Sequence, residues 1–256
     1  VAPGLRADLV VLESLEKLTV KDVYREGELV AQGGELLHPE DLLHGPRLRS
    51  SINLRWESLK SLEVPAEGSL LKVMELVPDQ LITRQRLEEP SVLDGLAQAD
   101  TSRDLLKIAV LERHINSGRV GVGFIRGFGL KAGALGSSVA HDSHNIILLG
   151  TSDADMAAAA HAVVRMHGGQ VVVKEGEVVE ALPLPIAGLM GKGSAEEVAS
   201  LIRRLSEGAR SLGCPLPNPF MTLSFMALPV VPELKVTDMG LVNVEEGRVV
   251  PLFGEG

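Results

Sequence analysis

A chain of 256 residues, 45% of them hydrophobic, is long enough for one large domain or a domain with a small appendage, and its composition is globular, not disordered. The formal charge of -9 argues against nonspecific nucleic-acid or anionic-membrane binding, which both need basic surface. The single cysteine, Cys214, excludes internal disulfides and CxxC zinc sites, and with 3% aromatic residues the core must be built from Val, Leu, Ile and Ala.

No apolar run of about 18 residues and no basic-then-apolar leader is present, so a soluble, cytoplasmic protein without membrane or nucleic-acid partners is expected. The opening on Val1, directly before Pro3-Gly4, reads as a segment cut from a longer chain. Ala7 to Leu12 reads as a strand, and Val20 to Tyr24 with Glu28 to Ala31 flank Arg25-Glu26-Gly27 as a hairpin. Polar residues from His38 to Ser51, broken by Pro39, Gly45 and Pro46, predict a domain boundary: a small β unit over 1–50 and a larger unit over 51–256.

Leu70 to Val77 and Gln80 to Leu87 read as strands around Pro78-Asp79. Arg84 and Arg86 share a face of the second, either as an anion clamp or as a solvated surface. The spacing of Leu105, Ile108, Ala109 and Leu111 predicts a helix over 104–116, capped by Thr101 or Ser102, with His114 complementing the dipole in its last turn. Arg119 to Ile125 is a strand containing Gly121 and Gly123. The third glycine of a dinucleotide fingerprint would fall at Arg126, which excludes a Rossmann site. Such strand glycines mark a bulge or a close approach, by backbone or by a flat ligand.

The glycine-rich run Arg126 to Gly133 and the small residues Ser137 to Ala140 lead into His141-Asp142-Ser143-His144-Asn145, the densest set of chemically capable side chains in the chain. If extended, the segment points His141, Ser143 and Asn145 to one face and Asp142 and His144 to the other. A carboxylate close to an imidazole orients it and raises its basicity, which suits a general base or a metal ligand; a polar strand end bonded to loops uses the same residues. His38 with His44 and His161 with His167 fit loop and helix surface better than a metal pair.

Ile146 to Leu149 continues as a strand, and Thr151-Ser152-Asp153 caps a helix that runs through Met166 to Gly168-Gly169. Val171 to Val173 and Val178 to Leu182 form a hairpin. Ser194 and Glu197 make a capping box for a helix with an apolar stripe at Val198, Leu201, Ile202, Leu205 and Ala209, stopped by Gly213. A proline-stiffened connector from Cys214 to Pro219 delivers the Phe220 to Met226 patch, which packs either as plain core or against a flat ring or neighbouring domain. Pro229 and Pro232 interrupt the next stretch, and short strands near 241–244 and 248–252 end the chain. The irregular alternation predicts an α+β fold with mixed sheets and packed helices. No repeat is visible, so a solenoid is excluded.

Gly129-Leu130-Lys131, Ser137 to Asn145, Leu182 to Met190 and Pro219 to Phe225 resemble the C-terminal region of bacterial and archaeal adenine deaminases of the amidohydrolase superfamily. Ala7 to Leu12 is similar to the strand that follows the catalytic barrel there, so residues 1–50 would be a partial β-domain segment and 51–256 the C-terminal α+β domain. The resemblance implies hydrolysis of adenine to hypoxanthine and ammonia, in purine salvage or adenine catabolism. The family's metal-rich (β/α)8 barrel, with manganese or iron, activates the attacking water. The barrel and its His-x-His pair lie upstream and are absent from this sequence, so no metal ligand and no cofactor is assigned to it.

By resemblance His141, Asp142 and His144 are assigned to proton handling or orientation, and Ser143, Asn145, Phe220 and Met221 to the substrate side. Adenine, the barrel portion of the same enzyme and further copies in a homo-oligomer are the expected partners. The isolated chain should deaminate negligibly. The alternative is a noncatalytic module that covers the barrel or holds subunits together.

Overall fold

The computed structural model describes residues 2–38 and 51–254. The chain divides into two compact units, residues 1–48 and 49–256. The sequence boundary expected between His38 and Ser51 falls on residues 39–50, outside the described ones. In the first unit, β1 (Leu9–Ser14), β2 (Thr19–Arg25), β3 (Glu28–Gln32) and β4 (Glu35–Leu36) make an antiparallel meander. Glu26 and Gly27 turn the expected hairpin with positive φ, and the Asp8 carboxylate accepts the Glu26 N–H at 2.7 Å.

The second unit is a mixed α+β domain. A 3-10 turn, Trp56–Leu62, precedes β5 (Leu70–Leu76), β6 (Thr83–Glu88), β7 (Ser91–Leu93), β8 (Leu96–Gln98), β9 (Leu106–Leu111) and β10 (Val120–Arg126). Then come β11 (Ala134–Ser137), β12 (Ile146–Gly150), α1 (Asp153–Arg165), β13 (Gly169–Lys174), β14 (Glu177–Pro183), α2 (Ala195–Ser211) and α3 (Pro219–Phe225). The chain closes with β15 (Leu234–Thr237), β16 (Gly240–Asn243), β17 (Arg248–Val250) and β18 (Phe253–Gly254). The main sheet runs β14-β13-β11-β12-β9-β10-β5-β18, with β6 also on β5; among the described residues only β5 and β10 pair in parallel.

The central strands of this sheet are covered on both faces. Ala109, Leu111, Ile146 and Leu148 face α1 through Met156, Ala159 and Val163. Ile108, Val110, Ile147 and Leu149 face α2, α3 and the β15-β16-β17 sheet through Leu205, Leu223 and Leu234. At about 1.5–3 kcal/mol for each large apolar side chain fully buried, these two layers make the centre of the sheet rigid.

The two-sided cover explains the main correction: residues 104–116 do not form a helix. Leu106–Leu111 is a central strand, buried at every position. A strand buried on both faces loses its alternation, and the apolar spacing of a short run then mimics a helix. His114 therefore follows a strand and complements no dipole. Lys107, on the α1 face, is buried and donates to Asp153 at 2.6 Å and to the Leu62 carbonyl at 3.0 Å.

Gly121 and Gly123 mark a close approach by protein. A Cβ at Gly121 would meet the Thr237 carbonyl oxygen at 1.9 Å, and one at Gly123 would meet Leu241 at 2.9 Å, so the β15–β16 hairpin presses onto β10. Arg84 and Arg86 lie on a solvated face of β6, with Arg86 paired to Glu75 at 2.7 Å. The caps of α1 and α2 form as expected, including the reciprocal Ser194–Glu197 box, and Gly213 follows the last turn of α2 with φ 102°. Ile202 departs from the expected stripe: it lies at the flank of the α2 apolar face and is exposed. Among the described residues no helix is long and apolar enough to cross a membrane.

Candidate functional site

β9 and β12 pair with Leu111 opposite Ile146, so the residues after one and before the other meet at the same end of the sheet. Glu112-Arg113-His114 leaves β9 there, and Ser138 to Asn145 links β11 to β12. The 186–190 turn, the end of α3 and the β15–β16 turn close on the same place.

Arg113 organises it. Its side chain is fully buried and, among the described residues, has no carboxylate partner; it is satisfied by acceptors from three segments. Nε donates to the His144 carbonyl, Nη1 donates to the Ser51 carbonyl and hydroxyl at 2.9 Å each, and Nη2 donates to the Ala187 carbonyl at 3.0 Å. Gly188, with φ 74°, lies so close that a Cβ there would come within 3.0 Å of the guanidinium. Burial lowers the Arg113 pKa, opposed by the charge of Glu112. The buried Glu112 carboxylate accepts the N–H groups of His114, Ile115 and Ser117 and the Ser117 hydroxyl. Burial pushes its pKa up, and those donors outweigh it and hold the value at about 2.

The segment 141–145 is a turn, not an extended strand, so the expected alternation of faces does not occur. The His144 N–H donates to the Ala140 carbonyl at 2.6 Å, His144 has φ 51°, and the two imidazoles meet edge to face with centroids 5.5 Å apart. Asp142 and Ser143 point outward and are exposed. Asn145 points inward: its Oδ1 accepts the Arg113 N–H at 3.3 Å and its Nδ2 donates to Asp238 at 3.1 Å. Asp238 also accepts from Arg119 at 2.6 Å, tying the β15–β16 turn to the site. Ser138, buried below, donates to the Gly188 carbonyl at 2.6 Å and accepts the Gly169 N–H at 2.8 Å.

α3 holds His141 from two sides. The Ser224 hydroxyl is hydrogen-bonded to His141 Nδ1, and the Phe225 ring stacks on the imidazole at 4.8 Å with planes 5° apart. Phe220 is buried in the core beneath, and Met221 is exposed on the outer face of α3. The resemblance thus named residues one helical turn away from the two that touch His141. His144 Nδ1 accepts the Ala140 N–H at 3.3 Å. Its pKa is lowered first by burial and then by the neighbouring His141 and Arg113, against a smaller opposing effect of Asp142. His114 Nε2 donates to the Ser143 carbonyl at 2.8 Å, and His114 also lines an open cleft of about 370 Å³ with Ile52, Trp56 and Ile115.

Arg113, Ser224, Phe225 and Asp238 were not singled out from sequence. The first was hidden in the misassigned helix; its signal is a charged triplet, Glu112-Arg113-His114, directly after a continuous apolar run. Among the described residues no group of three or more His, Cys, Asp or Glu is placed to hold a metal ion. A ring whose Nδ1 already accepts an N–H is also a poor ligand, because the proton it must carry then lies on Nε2. The described residues do not fit a metal centre.

What the fold and cluster define is an α+β domain with a polar, histidine-bearing strand end. The family described as adenine deaminase C-terminal domain matches residues 80–248, and the chain belongs to it. Curated relatives named adenine deaminase include proteins from Desulforamulus reducens (47% identical, covering 99% of this chain and 44% of the relative) and Methanothrix thermoacetophila (43%, 100% and 44%). A third, from Clostridium botulinum, is 38% identical over 100% of this chain and 43% of its own length. The chain thus spans less than half the length of the curated relatives it matches.

Proposed function

We propose that this chain is the C-terminal part of an adenine deaminase, a cytoplasmic hydrolase that converts adenine and water to hypoxanthine and ammonia, and that the 141–145 turn faces an active site completed by a barrel portion outside this chain. The observation that carries the reading is the convergence of two half-buried imidazoles on a turn locked by Arg113, at the end of strands buried on both faces. A site of this kind needs side chains held on rigid elements. Manganese or iron, held by barrel residues, would supply the activated water. His141 and His144 would orient the purine or the group it loses, with Asp142 and Ser143 at the exposed rim and Asn145 fixing the turn from inside. Phe220 supports α3 from the core, and Met221 reaches the substrate side only if the barrel covers the outer face of α3.

A noncatalytic covering or oligomerisation module is the second reading. A largely apolar groove of about 540 Å³ between the end of β14 and the start of α2, lined by Pro183, Pro185, Val198 and Leu201, favours it. Alanine substitution of His141 and His144 in the complete enzyme separates the two. The first reading expects kcat to fall about 10²- to 10³-fold, the usual loss for a removed transition-state donor, with assembly retained. Retained turnover with lost assembly supports the second.

A further inference from the structure

The geometry points to His141 and His144 as a pair of neutral N–H donors, locked in the Nε2–H tautomer by Ser224 and by the Ala140 amide, that bind sp2 lone pairs of a ligand. A purine ring nitrogen and a carbonyl oxygen are such acceptors. This inference rests on the active-site reading for its ligand, and on the fold alone for its chemistry.

A neutral imidazole carries one proton, and a nitrogen that accepts a hydrogen bond is the one without it. His144 Nδ1 accepts the Ala140 N–H, and a backbone amide can only donate. The proton of His144 is therefore on Nε2. At His141 the partner is a hydroxyl, which can play either part. The His141 N–H is shared between the Ser224 carbonyl at 3.2 Å and the Ser224 hydroxyl oxygen at 3.4 Å, and His141 Nδ1 is the only acceptor for the Ser224 proton among the described residues. Ser224 is 1% exposed, so its proton is not left to water. The hydroxyl accepts from the backbone and donates to the ring, which puts the His141 proton on Nε2 as well.

Neither Nε2 has a partner among the described residues, and no buried side-chain nitrogen or oxygen there lacks one, so both Nε2–H groups reach the surface. The Phe225 stack and the Arg113 bond to the His144 carbonyl fix where they point. Ser224 is then a positioning residue acting through His141. The pair is the wrong tautomer for a metal ligand or a base through Nε2 and the right one for a donor.

The test is a long-range 1H–15N spectrum of this chain labelled with 15N-histidine at neutral pH, with His141→Gln and His144→Gln used to assign the two rings. The expected result is an unprotonated Nδ1 and a protonated Nε2 in both. Ser224→Ala should move His141 toward a mixture of tautomers and leave His144 unchanged. A protonated Nδ1 in either ring of the parent chain overturns the inference without any variant. So does selective broadening of both rings by one equivalent of Mn2+, which would mark them as ligands. In the complete enzyme His144→Gln, whose amide can present an N–H near the Nε2 position, should keep turnover within about tenfold of the parent, where His144→Ala falls about 10²- to 10³-fold. If Gln is as damaging as Ala, the donor role fails. If both retain full turnover while the tautomers are as expected, it is the active-site reading that fails.

Discussion

Replacing Arg113 by methionine removes the cation that ties the 141–145 turn, the 186–190 turn and Ser51 together. Four acceptors lose a charged donor. At about 1.5–3 kcal/mol for each hydrogen bond to a charged group, the upper bound is about 6–12 kcal/mol. Two of the four bonds come from one nitrogen, and Ser51 is half-buried and can be rehydrated, so that half of the sum counts for little. Burial of the methionine offsets about 1.5–3 kcal/mol more. The expected loss is then about 1.5–3 kcal/mol. With a urea slope of about 3 kcal/mol per molar for a unit of this size, the midpoint moves down by about 0.5–1 M. The single tryptophan, Trp56, stacked on His161 at 4.4 Å, reports the transition by fluorescence. Arg113→Lys should recover part of the loss, because an ammonium cannot span acceptors that surround a planar guanidinium. A methionine variant within about 1 kcal/mol of the parent would refute the argument that Arg113 organises the turn.

Three other outcomes concern buried groups. Gly121→Ala should destabilise by about 1–3 kcal/mol or more, because its Cβ meets the Thr237 carbonyl and must push away the hairpin that carries Asp238; a urea titration measures it, and a neutral effect would contradict the packing. Glu112 holds its proton less tightly when folded, so its stabilisation is complete above the unfolded value of 4.5 and is lost as pH falls toward about 2. Glu112→Gln should lower stability at neutral pH and flatten the parent's decline between about pH 5 and pH 3, as judged from urea midpoints across that range. Lys235 is buried with its amine on the Leu81 carbonyl at 2.8 Å, and desolvation brings its pKa from 10.5 down to about 8. The folded state then binds fewer protons than the unfolded one between those values, so stability rises with pH across the window. Lys235→Met should be the more stable protein at neutral pH, with its advantage shrinking from about pH 8 to pH 10; a constant difference would contradict the assignment.

Much of the fold was legible where local chemistry acts alone. The Ser194–Glu197 box, the Ser152 cap and the Glu26-Gly27 turn are decided by neighbours within a few residues. The turn at Asp94-Gly95, both with positive φ, carried the same kind of signal between β7 and β8 and was not read. β9 was illegible for a different reason. Its faces are covered by α1 and by α2, α3 and the small sheet, all distant in sequence, and nothing local distinguishes a doubly covered strand from a short helix face.

The site divides in the same way. His141, Asp142, Ser143, His144 and Asn145 could be picked out because their types are rare together, but their geometry could not. The turn that joins the imidazoles depends on Arg113, 31 positions from His144, and the tautomer of His141 depends on Ser224, 83 positions away. Phe220 and Met221 lie on α3 one turn before Ser224 and Phe225, the two residues that meet His141. The i, i+4 spacing from Phe220 to Ser224 and from Met221 to Phe225 is the signal that leads to the pair.

The most direct test of the central claim is ammonia release from adenine by this chain mixed with the separately expressed preceding portion of the same protein and added manganese. Activity in the mixture, with neither part active alone and with the His141→Ala and His144→Ala versions of this chain unable to restore it, is the predicted result. Full activity restored by the double variant, with binding between the two parts shown, would contradict it.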